Sequence, residues 1–147
     1  MQISRLDCNC SDEVINLIRS SDKNSSWSDT QIIDSLNNDI TYGSFENDVI
    51  TSIAIFQQIF ETVELLYICV LNTHKSQGVG YTLLRECIED LSNASEIESI
   101  FLEVAVDNTK AINLYEKLGF RNISVRKKYY KRPNGQCYDA IIYILKS

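Results

Sequence analysis

The sequence predicts a mixed α/β fold, a sheet with helices packed on it, and three observations support the prediction. Runs of strand length, rich in Ile, Val, Tyr and Phe, recur along the chain. Other segments repeat their apolar residues at helical spacing, and they alternate with the strand-like runs in the C-terminal half. One helical segment follows the apolar run LLYICV through a polar turn, HKSQGVGY, which holds two of the five glycines.

Taken in order, residues 2–6 fit a short strand. From Ser11 onward, Val14, Leu17 and Ile18 repeat at helical spacing, with Ser11 as the expected N-cap. A second helix is expected from Ser28, where Ser28 and Gln31 have the spacing of a capping box ahead of Ile32, Ile33 and Leu36. ITYGSFEN and VITSIAIFQQ are β-rich runs split at Asn47-Asp48 and read as a hairpin. ELLYICV is continuously apolar after its glutamate, which predicts a strand buried on both faces. After Gly80, residues Leu83, Leu84, Cys87, Ile88 and Leu91 form one apolar stripe over about three turns. IFLEVAV reads as another buried strand, and Thr109 to Leu118 as a helix stopped by Gly119. Two last strands, about 122–130 and 137–145, flank the turn RPNG, which holds the only proline, Pro133.

The 147 residues suit a single domain, 1–147, with room for a core. Apolar residues make up 44% and charged residues 23%, an ordinary globular balance. No apolar run approaches the roughly 20 residues of a membrane span, and MQISRLDCNCSDE lacks the pattern of a secretory signal. A cytoplasmic protein without a membrane partner is expected. Five irregularly spaced cysteines fit reduced thiols. No metal site is expected, because Cys8-Asn9-Cys10 has no second pair and His74 is the one histidine. A net charge of −6 argues against nucleic-acid binding, which draws on many phosphate contacts from Lys and Arg. An acidic surface tolerates a basic peptide. A monomer or weak homodimer is the expected state.

A strand, a glycine turn and a helix start together form an anion site, because the first helical N–H groups lack partners and the helix dipole adds partial positive charge. Gly78 and Gly80, without Cβ atoms, let a phosphate oxygen approach the backbone. Tyr81-Thr82 rules out a P-loop, and Leu83 stands where a dinucleotide fingerprint needs a small residue. By itself the motif is equally compatible with a tight strand–helix turn that binds nothing.

KSQGVGYTLL resembles the acyl-CoA loop of the GCN5-related N-acetyltransferase (GNAT) superfamily, Gln/Arg-x-x-Gly-x-Gly/Ala, with Lys75 where Gln or Arg is usual. Downstream, FLEVAVDNTKAINLYEKLGFRNISVRKKYYKRPNGQCYDAIIYIL resembles the C-terminal half of the ribosomal-protein-alanine N-acetyltransferases, the RimI group. Ser26-Trp27-Ser28 is similar to that group's Pro-Trp-Ser segment. The match is firm over residues 60–147 and loose over the first third. It implies a GNAT fold: a central mixed, mostly antiparallel sheet of six to seven strands, about four helices, and splayed central strands that bind acyl-CoA.

The resemblance also implies a reaction, transfer of an acetyl group from acetyl-CoA to a protein N-terminal α-amine, a ribosomal protein's among them. Glu103 interrupts a buried strand, where a carboxylate needs a partner or a water path and where burial favours a better base. On residues alone it is either that base or a glutamate paired with a lysine; the resemblance makes it the general base. Tyr115 follows by resemblance as general acid for the CoA thiolate; otherwise it fills the core beside Leu114 and Leu118. Asn108 and Tyr115 lie seven residues apart, so they share a helix face about 10 Å apart. Asn108 fits an N-cap and a CoA contact alike.

Carried over by resemblance, backbone contacts to the pantetheine arm fall at Ile68, Cys69 and Val70. An amide near Val70 meets the oxyanion. Pyrophosphate contacts fall at Ser76, Gln77, Gly78, Val79, Gly80 and Tyr81, with Lys75 as a further phosphate partner or a surface lysine. Tyr129, Tyr130 and Tyr138 suit either an acceptor clamp or cross-strand packing. Trp27 suits a peptide contact or a helix-start staple. The alternative acceptor is a small amine or polyamine. A CoA-binding module without catalysis is disfavoured because Glu103 and Tyr115 are both present.

Overall fold

The computed structural model describes residues 1–146; Ser147, the last residue of the expected domain, lies outside the described residues. The elements follow the predicted order: β1 (Gln2–Arg5), α1 (Ser11–Ser21), α2 (Asp29–Asn38), β2 (Ile40–Glu46), β3 (Val49–Ile59), β4 (Thr62–Val70), α3 (Val79–Ser92), β5 (Ser99–Ala105), α4 (Thr109–Lys117), β6 (Arg121–Lys131) and β7 (Cys137–Lys146). The strands form one sheet, ordered β1-β2-β3-β4-β5-β7-β6. Every neighbouring pair is antiparallel except β4–β5.

Local chemistry explains the element ends. Ser28 and Gln31 close the expected capping box at α2, with bonds of 3.1 and 2.8 Å. Ser11 is not the cap of α1. A short 3₁₀ turn, Cys8–Cys10, precedes it, and Asp7 caps that turn by accepting from the Asn9 amide at 2.9 Å. The N-cap position of α1 itself falls at Cys10, which makes no side-chain cap bond. Asn47 and Asp48 both take positive φ, 52° and 64°, as a two-residue hairpin turn requires. Gly119, at φ 99°, ends α4 in the left-handed region.

Two apolar layers sandwich the sheet, and strand periodicity sorts residues between them. Ile53 and Ile55 of β3 face Val14, Leu17 and Ile18 of α1 and Ile32 and Leu36 of α2. Ala54 and Phe56 face the opposite layer, which holds Leu83, Leu84, Cys87 and Leu91 of α3 and Tyr115 of α4. The ELLYICV strand departs from the expectation of full burial on both faces. Val63, Leu65 and Cys69 are buried, whereas Leu66, Tyr67, Ile68 and Val70 are only partly covered. The cause is a gap in the sheet.

Candidate active site

The gap begins where β4 and β5 part. Their parallel pairing holds only at Thr62↔Ser99, Val63↔Ile100 and Glu64↔Phe101, although the strands continue to Val70 and Ala105. Just past that point the β3–β4 register slips: Ile55 pairs with Tyr67 and Phe56 with Leu65, so Leu66 is an extra residue. Such a bulge bends its strand and strengthens the local twist, which turns the end of β4 away from β5. Backbone groups of Leu66 to Val70 on that side are left without a strand neighbour.

Two adjoining cavities occupy the space. One, of about 320 Å³, is lined by Leu65 to Ile68 on β4, Leu102 to Ala105 on β5, Asn108, Tyr115, and Tyr130, Lys131 and Arg132 from β6 and its turn. The other, of about 700 Å³, runs past Ile68 and Val70 to Lys75, Ser76, Gly78, Val79, Gly80 and Tyr81, and is closed by Asn108 and Leu114. Ile68 and Asn108 line both.

The glycine turn supplies one end. Gly78 takes φ 79° at the N-cap of α3, a conformation glycine adopts without strain. Thr82 is the first residue whose amide finds a carbonyl of the helix, Gly78 O at 3.0 Å. The amides of Val79, Gly80 and Tyr81 therefore have no place in the helical ladder. A Cβ on Gly80 would sit 3.6 Å from Val70 and 3.7 Å from Ile68, across the cavity's throat. Two loop residues have their side-chain donors engaged by backbone carbonyls. The Lys75 ammonium donates to the Ser21 carbonyl at 2.6 Å, capping the C-terminus of α1. The Gln77 amide donates to Thr73 O at 3.2 Å and does not line either cavity. The Cys69 side chain is buried toward α1 and α2.

At the other end, Glu103 reaches the cleft from β5 with its side chain 15% exposed, and its Oε1 accepts from Arg126 at 2.7 Å. The partner is thus an arginine from the edge strand, not a lysine. Arg126 in turn lies 4.0 Å from the centre of the Tyr129 ring. The Tyr130 hydroxyl donates to the Glu103 carbonyl at 3.3 Å. A register shift between Arg126 and Tyr130 brings these side chains together. Tyr138 stands across from Tyr130, outside the cavities, under the Arg132 guanidinium at 3.9 Å. The Arg132 guanidinium also forms two hydrogen bonds to Asp107, fastening the hairpin turn to the loop before α4.

Tyr115 is buried on α4, edge-on to Phe120 at 5.9 Å, and its hydroxyl has no hydrogen-bond partner among the described residues. Burial, with the nearby Tyr130, pushes its pKa up to about 12. Asn108 caps α4 by accepting from the Ala111 amide at 3.3 Å while still lining both cavities. Trp27 packs on Tyr67, ring centres 5.4 Å apart, and the Tyr67 hydroxyl donates to Asp22 at 2.5 Å. Sequence reasoning did not single out Asp22, Glu64, Tyr67 or Arg126. Only Glu64 carries a visible signal, a carboxylate opening an apolar strand as Glu103 interrupts one.

The chain that carries this gapped parallel strand pair has clear relatives. The sequence pattern of the acetyltransferase (GNAT) family matches residues 12–120. The [ribosomal protein bS18]-alanine N-acetyltransferase of Haemophilus ducreyi is 36% identical over 100 residues, 68% of each chain. The Escherichia coli K12 protein of that name is 35% identical over 68% of this chain and 66% of its own. The match covers about two thirds of these relatives' length, 65% for the Haemophilus influenzae protein. The crystal structure of the ribosomal-protein-S18-alanine N-acetyltransferase from Escherichia coli superposes with a TM-score of 0.90 at 27% identity, over 99% of this chain and 92% of that one. Pattern, sequence likeness and superposition agree: the chain belongs to the acetyltransferase (GNAT) family.

Proposed function

We propose that the chain is an acetyl-CoA-dependent N-acetyltransferase whose acceptor is a protein N-terminal α-amine, such as that of a ribosomal protein. The observation that carries this reading is the parting of β4 from β5, with Glu103 and Tyr115 on the walls of the gap and the free amides of α3 at its mouth.

Each step then has a residue. The amides of Ser76 to Tyr81 hold the diphosphate at the α3 N-terminus. The unpaired edge of β4, Ile68 to Val70, lies along the pantetheine arm, and an amide near Val70 receives the oxyanion. Glu103 takes a proton from the ammonium, directly or through water. The amine nitrogen forms its bond to the carbonyl carbon, and the carbonyl pair moves to oxygen. The oxygen pair then re-forms the C=O bond as the C–S bond breaks, Tyr115 gives its proton to sulfur, and the second proton leaves the nitrogen to return Tyr115 to the phenol. A buried phenol stays protonated at neutral pH, as an acid must. An α-amine titrates at about 8, well below lysine at about 10.4, so a carboxylate base suffices. Trp27 and the Tyr129–Tyr130 pair flank the approach from either side of the gap.

Incubation of an alanine-starting ribosomal N-terminal peptide with enzyme and acetyl-CoA, followed by mass spectrometry, tests the reading. Acetylation at the α-amine is expected. Modification at lysine alone, or none, would remove the peptide acceptor, and turnover confined to a panel of small amines would install the alternative.

A further inference from the structure

Charge is unevenly spread along this chain. Residues 1–60 hold nine of the 20 acidic residues and three of the 14 basic ones, so the whole net charge of −6 arises there and the remainder is neutral. Elements of that acidic part, α1 and the β2–β3 hairpin, frame a groove of about 720 Å³. None of its lining residues lines either cavity of the β4–β5 gap, and the steps above make no use of it.

The groove has an apolar floor between polar walls. Leu17 of α1 and Ile50 of β3, both nearly buried, form the floor with Leu71, at the rim of the apolar layer under α1 and α2. Val49, next to the hairpin turn, stands beside them 57% exposed. Glu13, Asn16, Leu17 and Ser20 follow one another at helical spacing, so a single face of α1 makes one wall. The hairpin turn makes the other, with Asp48. The lining includes Arg19, but its guanidinium is already engaged by Asp29 at 2.7 Å and the Trp27 carbonyl at 2.8 Å. Glu13, Asn16 and Asp48 have no side-chain hydrogen bond or ion pair among the described residues. The groove thus offers two uncompensated carboxylates, one from each wall, and an amide free to bond a main chain. An anion, or an apolar group without charge, would desolvate those carboxylates and give nothing back. Because they belong to different elements with the floor between them, the fitting ligand carries two separated cations around an apolar group. An extended basic segment supplies that pattern.

We propose that this groove docks a basic segment of a partner protein. One aliphatic side chain of the segment seats on Leu17, Ile50 and Leu71. Cations on either side of it pair with Glu13 and Asp48, and Asn16 bonds the main chain between them. The acidic field of residues 1–60 steers the approach. The segment's own N-terminus plays no part, so this docking is independent of the acetyltransferase reading.

Fluorescence anisotropy provides the test. One probe is a fluorescein-labelled pentapeptide with a leucine between two pairs of arginines, and the other is its analogue with serine for the leucine; both have a blocked N-terminus. The parent is expected to bind the leucine peptide, and to bind the serine analogue about tenfold or more weakly. The double variant E13K/D48K is expected to weaken the leucine peptide about tenfold or more. The double variant D34K/E96K makes an equal change of charge at exposed sites outside the groove, and is expected to stay within about threefold of the parent. No binding by the parent, equal affinity for the analogue, or equal loss in both double variants would overturn the assignment. Should E13K/D48K fail to fold, the amide resonances of the isotope-labelled parent, titrated with the leucine peptide, decide. Movement at Leu17, Val49 and Leu71 is expected, and movement confined to other residues overturns the docking. Displacement of the peptide by equimolar isoamylammonium would give the groove to a small amine. Self-association abolished by E13K/D48K would give it to a second copy. Either result overturns the basic segment.

Discussion

Glu103 and Tyr115 meet at the gap from different elements, and their surroundings bear on different properties. Arg126 compensates Glu103, so Glu103→Gln leaves the guanidinium with a neutral partner instead of an empty space. That variant is expected to lower kcat by about 10² to 10⁴, the usual contribution of a general base, with acetyl-CoA affinity changed by less than about threefold. Isothermal titration beside turnover assays checks the split. Tyr115→Phe should slow transfer and leave coenzyme affinity intact; an unchanged rate would reduce Tyr115 to packing against Phe120. With its phenol raised to about 12, Tyr115 keeps its proton through the assay range. The kcat profile should therefore show no alkaline limb from this group between pH 8 and 10. Neither partner of Glu103 was legible along the chain. Arg126 lies 23 residues away, and only the β5–β7–β6 register brings it alongside.

Capping and turn chemistry are local, so the element boundaries were largely readable. Ser28→Ala removes one arm of the capping box, an expected loss of about 1 kcal/mol. For a chain of this size that is a fall of about 2–4 °C in Tm by calorimetry. Ser11 misled because α1 follows directly on a 3₁₀ turn that Asp7 caps, which puts the α1 N-cap at Cys10 and Ser11 inside the helix. The ELLYICV strand misled because continuous apolarity cannot distinguish a buried face from one lining a cleft. Gly80 belongs to this scale too. A branched side chain there enters the throat bounded by Ile68 and Val70. Gly80→Val is expected to weaken acetyl-CoA binding about tenfold or more, about 1.4 kcal/mol or above, while the unfolding midpoint moves little. Coenzyme binding equal to the parent's would show that the throat is wide enough without the glycine.

Across the whole molecule, several buried or partly buried acidic groups stay neutral in the fold. Burial is the first cause at Tyr42, Tyr67, Tyr115 and Cys87, and raises each above its ordinary value, Cys87 to about 12. A raised folded-state pKa contributes stability that is complete below the unfolded pKa and is lost as pH rises toward the folded value. The urea midpoint should accordingly hold steady to about pH 8, begin to fall near pH 9 as unfolded cysteine titrates, and drop more steeply from about pH 10 to 12. Tyr67→Phe should make that alkaline fall shallower. The same long-range packing sets the site: β4 parts from β5, and the hairpin turn is fastened to the loop before α4 through Arg132 and Asp107.

The sequence by itself determined the order of the elements, the apolar stripes of the helices, the glycine turn at the start of α3 and the family resemblance, because periodicity, caps and turns depend on residues within a few positions of each other. Tertiary structure alone decided which carboxylate is paired, where Lys75 points, that β7 lies between β5 and β6, and that one extra residue at Leu66 opens the sheet. Those features depend on register between strands distant in the chain, and a one-residue slip there re-aims every side chain beyond it.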